Sequence, residues 1–74
     1  MENQHTLIRG YRDLSAEEIA LMNEVKQAGE LVGDLVERIS ATEGVDVRWA
    51  SIARTQLQQG FMALTRAVAK PTTF

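Results

Sequence analysis

The chain has 74 residues, 45% of them hydrophobic and 24% charged, with a formal net charge of −2, one histidine and no cysteine. That length limits it to one domain, and below roughly 70–80 residues a lone core supplies only ~3–5 kcal/mol. Without cysteine there is no disulfide and no thiolate metal site, the acidic balance argues against broad binding to duplex nucleic acid, and no apolar run approaches the ~18 residues of a membrane span.

Self-association is the route to stability that this composition leaves open. Residues 1–14 read as a short arm, with one helical turn at Thr6 to Gly10 that Gly10 would end. Met1 to Arg9 has no apolar h-region, so a cytosolic protein is expected. Arg9, Tyr11 and Arg12 combine cations with an aromatic ring, a set able to hold a flat anionic group, and they precede a helix N-terminus, which also favours anions. Tyr11 has two readings at this point: a staple packed under the following helix, or a platform for a base, an interaction worth ~1–3 kcal/mol. His5 carries no specific role.

Ser15 followed by Glu18 satisfies the capping-box pattern ahead of an apolar run, which starts the first long helix at 15–41. Leu21, Val25, Ala28, Val32, Leu35 and Ile39 alternate at four and three residues and form a heptad seam. A neighbouring stripe, Met22, Lys26, Gly29, Gly33, Val36 and Ser40, repeats the alternation with small residues and one lysine. Small residues admit a second backbone, and Gly29-x-x-x-Gly33 reads as close helix packing. A charge within such a stripe is costly if buried without a partner. Lys26 therefore either snorkels past a partner helix to water or holds an anion in a crevice between subunits.

Thr42, Glu43 and Gly44 break the pattern, and Gly44 is suited to a left-handed C-cap. Asp46 is the N-cap expected for a second helix, 46–70, which Pro71 ends. Its seam reads Ala50, Ala53, Leu57, Phe61 (or Gly60), Leu64 and Val68 (or Ala67), with Trp49 as an anchor at the loop end and Met22 and Met62 as core or interface filler. Two helices of this length, about 36–40 Å each, joined by a few residues must lie antiparallel. The expected fold is all-α: one helical-hairpin domain over 1–74, with its short N-terminal arm, assembled into a homo-oligomeric bundle.

Charge is segregated between the two helices. Residues 15–41 carry six acids against Lys26 and Arg38, whereas 47–70 carry Arg48, Arg54, Arg66 and Lys70 and no acid at all. An antiparallel pair would attract internally, yet Arg54, Thr55, Gln58 and their neighbours also form a polar face that can donate to an anion unopposed. No nucleophile has a nearby base and the one histidine lacks a positioned acid, so the chain reads as a binding protein, not an enzyme, with no cofactor. A helical adaptor that binds another protein's helix is the competing class. A small transcription regulator is a third, though the hairpin lacks the short turn of a helix-turn-helix.

The run Gly10-Tyr11-Arg12-Asp13-Leu14-Ser15, then Leu21-Met22-Asn23 and Lys26, then Arg48-Trp49, Ile52-Ala53-Arg54-Thr55, Leu57 to Leu64 and Arg66 to Ala69, closing on Pro71 and Phe74, resembles the small phage anti-CBASS sponge proteins. CBASS is a bacterial defence that signals infection with cyclic oligonucleotides. The resemblance covers nearly the whole chain. It implies a helical hairpin assembled into a homohexamer that captures cyclic dinucleotides without cleaving them, in the cytoplasm of the infected bacterial host. In that family a tyrosine and a lysine matching Tyr11 and Lys26 contact base and phosphate in pockets shared between subunits, and Arg9, Arg12 and Met22 are assigned beside them. Some members also hold cyclic trinucleotides at a separate threefold site, to which Arg54, Thr55 and Gln58 are assigned.

Overall fold

The computed structural model describes residues 13–72, and among them there are two helices and no strand: α1, Ala16–Ser40, and α2, Val47–Ala69. The arm with its turn at Thr6 to Gly10, the residues Arg9, Tyr11 and Arg12, and Phe74 lie outside the described residues.

Each helix end is set by chemistry within a few residues. The Ser15 hydroxyl accepts from the Glu18 N–H at 3.1 Å, and the Glu18 carboxylate accepts from the Ser15 N–H at 2.9 Å. Asp46 accepts from the N–H groups of Arg48 and Trp49 at 3.0 and 3.2 Å, satisfying two donors that a helix start leaves without partners. The other end of α1 differs from the sequence expectation. Its C-cap is Ala41 in the right-handed region, where the Thr42 hydroxyl donates to the Arg38 carbonyl at 2.7 Å. Gly44 is therefore not the cap; it sits in the connection at φ +90, a conformation that favours glycine, and turns the chain towards α2. Lys70 closes α2 in the left-handed region, with its N–H on the Arg66 carbonyl at 2.8 Å and Pro71 next in the chain.

The face that α1 turns to α2 is also corrected. Met22, Val25, Gly29, Val32 and Val36 are the half-buried residues along it, whereas Leu21, Leu35 and Ile39 of the heptad seam remain between 42% and 46% exposed. The cause is Phe61: its ring lies where a Cβ on Gly29 would be 3.7 Å from Cδ1, so the one phenylalanine of α2 seats against a residue of α1 that has no side chain. Contact there turns α1 towards its small-residue stripe and leaves Leu21, Ala28, Leu35 and Ile39 of the seam outside. In α2, Ala50 and Ala69 are buried, Ala53, Phe61 and Val68 are half-buried, and Leu57 and Leu64 are open.

Two ion pairs tie the helices across the hairpin, Arg54 to Glu37 at 2.9 Å and Lys70 to Glu18 at 3.7 Å. The Glu18 side chain is only 17% exposed, whereas both partners of the Arg54–Glu37 pair reach solvent; an exposed pair of that kind contributes only ~0–1 kcal/mol and fixes register more than it stabilises. Trp49, expected to anchor the loop end, is 62% exposed and carries the Arg48 guanidinium 5.7 Å from its ring centre. Met62, read as core or interface filler, is 65% exposed and so is not core in the single hairpin.

Candidate functional site

An open groove of about 770 Å³ runs between the two helices. The α1 wall is the small-residue stripe and its neighbours, from Met22 and Lys26 through Gly29 and Gly33 to Val36; the α2 wall includes Arg54, Leu57, Gln58, Phe61 and Thr65. At Gly33 an added Cβ would meet nothing within 4 Å, so no side chain fills the space between the helices there.

The groove is mostly apolar, and a cation stands near each of its ends. Lys26 is exposed and has no ion-pair partner among the described residues. Arg54 lies level with Glu37, whose carboxylate it meets, and so stands eleven residues along α1 from Lys26, about 16 Å at the backbone. Gln58 follows Arg54 by one helical turn and faces the same space. The Thr65 hydroxyl donates to the Phe61 carbonyl at 3.0 Å and is thereby turned back to its own helix.

Of the residues singled out in the sequence, the structure brings Met22, Lys26, Arg54 and Gln58 to one groove and leaves Thr55 exposed outside it. Leu57 and Phe61, read as seam residues, also line it, as do Asn23, Val36 and Thr65. Sequence reasoning missed the Glu37 contact to Arg54. Its signal was the segregation of acids to α1 and bases to α2, but naming the partners requires the register of the hairpin.

Such a surface can hold an anion with an apolar or aromatic body, using two separated cations and side-chain amides as donors. Among the described residues no group of three or more His, Cys, Asp and Glu could hold a metal ion, and no helix is long and apolar enough to cross a membrane.

A family model described as the Acb2/Tad1 hairpin domain matches residues 3–69. A relative from Pseudomonas phage JBD67, called Anti-CBASS protein 2, is 37% identical over 105 residues, with 96% of this chain and 97% of the relative covered. Those aligned positions exceed the 74 residues of this chain, so the relative carries segments that this chain lacks. The match spans α1, the connection and α2, and on that ground the chain belongs to the Acb2/Tad1 hairpin family.

Proposed function

We propose that the chain sequesters cyclic dinucleotides, and cyclic trinucleotides at a second place, without cleaving them, and so blocks CBASS signalling in a phage-infected bacterium. The observation that carries this reading is Lys26: an ammonium with no ion-pair partner among the described residues, on the wall of a groove with open space at Gly33. Family membership and the name of the phage relative support the same role.

On this reading Lys26 holds phosphate and Tyr11 stacks on a base, with Arg9, Arg12 and Met22 beside them. Arg54, Thr55 and Gln58 form the second site, and the distance of about 16 Å between Lys26 and Arg54 along α1 favours two anion positions over one. The copies assemble as a homohexamer through apolar side chains that the hairpin leaves open, Leu21, Leu35 and Ile39 among them. Sequestration needs occupancy alone. A pocket closed by two chains slows release, and differences in affinity among related complexes reside mainly in dissociation rates.

Calorimetry of the purified protein against 3′,3′-linked cyclic dinucleotides and cyclic triadenylate, with mass measurement in solution, tests the proposal. The expected result is one dinucleotide per two chains, ligand recovered intact, and loss of dinucleotide heat in Lys26→Ala at unchanged mass. The same open side chains also suit a helix-binding adaptor, which predicts no heat and a Lys26→Ala protein that assembles as well as or better than the parent. Absence of heat with every ligand would remove the sponge reading.

A further inference from the structure

The guanidinium at the Arg54 end of the groove already has an anion beside it. The Arg54 Nη1 donates to the Glu37 Oε2 at 2.9 Å, across the hairpin from α2 to α1. Glu37 does not line the groove, whereas Arg54 and Gln58 do, so the carboxylate meets the guanidinium from outside the groove. We infer that Glu37 is a built-in competitor for the second site: its carboxylate occupies Arg54 while the groove is free, and a phosphodiester bound there has to displace it.

Three features make the exchange easy. The contact is a single N–H···O bond from one of the five donors of the guanidinium, so exchanging the carboxylate for a phosphate breaks one bond and not a bidentate clamp. Both partners reach solvent, with side chains 39% and 70% exposed, so a released carboxylate is rehydrated and little is lost. Since residues 47–70 contain no acid, the counter-charge for Arg54 has to come from α1, and Glu37 is the residue that delivers it. The consequence is a site whose affinity is held below its limit by a residue outside it.

This inference rests on the second site proposed above, and its test separates the two. Cyclic triadenylate and a 3′,3′-linked dinucleotide are titrated by calorimetry into the full chain, Glu37→Gln, Glu37→Asp, Arg54→Ala and the Glu37→Gln/Arg54→Ala double variant, with circular dichroism and mass in solution recorded for each. Glu37→Gln is expected to bind triadenylate about two- to fivefold more tightly, the factor that loss of one exposed ion pair releases. Glu37→Asp should return towards the parent, and the gain should vanish when Arg54 is absent. Dinucleotide affinity should stay unchanged, because Lys26 lies about 16 Å away. Equal or weaker triadenylate binding by Glu37→Gln would mean that Glu37 orients Arg54, and equal gains for both ligands would mean a general charge effect; either overturns the inference. If triadenylate gives no heat with the parent or with Glu37→Gln, the second site falls and the inference with it, while dinucleotide binding is judged separately at Lys26.

Discussion

Gly33→Ala separates what the hairpin needs from what its assembly needs. Glycine in a helix interior costs ~0.8–1 kcal/mol relative to alanine, and a Cβ at this position meets nothing within 4 Å in the single hairpin. Within one chain, then, the substitution should stabilise by about 1 kcal/mol, which for a 60–100-residue domain raises the melting temperature by roughly 4–8 °C. In the proposed assembly the sign reverses. If another copy lies close to this stripe, the added methyl forces an adjustment of the kind that costs ~1–3 kcal/mol in a well-packed contact, repeated at every equivalent interface. Light scattering and thermal circular dichroism over a range of protein concentrations read the two terms separately. The expected outcome is a lower mass and a lower melting temperature at concentrations where the parent is assembled. Full mass together with a raised melting temperature would refute the reasoning, because the glycine would then serve no neighbour.

Three further substitutions test the hairpin itself. Ser15→Ala removes the hydroxyl half of the capping box and should lower the urea midpoint by an amount equivalent to ~1 kcal/mol, with fraying at the start of α1 visible in the helical circular dichroism signal. Gly44→Ala places a Cβ on a residue at φ +90 and should destabilise by roughly 1–2 kcal/mol, although nothing crowds the position; an unchanged urea midpoint would show that the connection relaxes freely. Phe61→Ala removes a half-buried ring seated against Gly29, and a loss of about 2–3 kcal/mol is expected in chemical unfolding, below the ~3–5 kcal/mol of a fully buried phenylalanine.

The sequence was readable wherever the deciding chemistry is local. Ser15 with Glu18 and Asp46 with the N–H groups of Arg48 and Trp49 form contacts within three residues, and each marks a helix start at the residue where it occurs. The packing face was not readable in the same way. Two stripes on α1 repeat with the same alternation, and which of them meets α2 depends on where Phe61 finds room; the answer, Gly29, lies thirty-two residues earlier in the chain. Gly44 misled for a related reason. It has the conformation that a left-handed cap would require, but the Thr42 hydroxyl closes the helix before the chain arrives there. In the groove, Lys26 was conspicuous as the one charge in its stripe and Arg54 as a base on a helix without acids. That they belong to the two ends of one space is a property of register, as is the contact of Arg54 with Glu37.

The exposed part of the heptad seam links the fold to the proposed function. Leu21, Leu35 and Ile39 keep helical spacing but do not contribute fully to the hairpin, which buries only Ala50 and Ala69 among the described residues. At about 25 cal/mol per Å² of apolar surface withdrawn from water, covering those side chains with another copy is a larger source of stability than the exposed Arg54–Glu37 pair. In the proposed assembly, folding and association would be one equilibrium for this chain. A ligand held between copies enters that equilibrium directly, adding RT ln(1 + [L]/Kd), or ~2.7 kcal/mol at a hundredfold excess over Kd. A sponge built in this way becomes more stable as it fills, so the cyclic nucleotides that signal infection would themselves reinforce the protein that removes them.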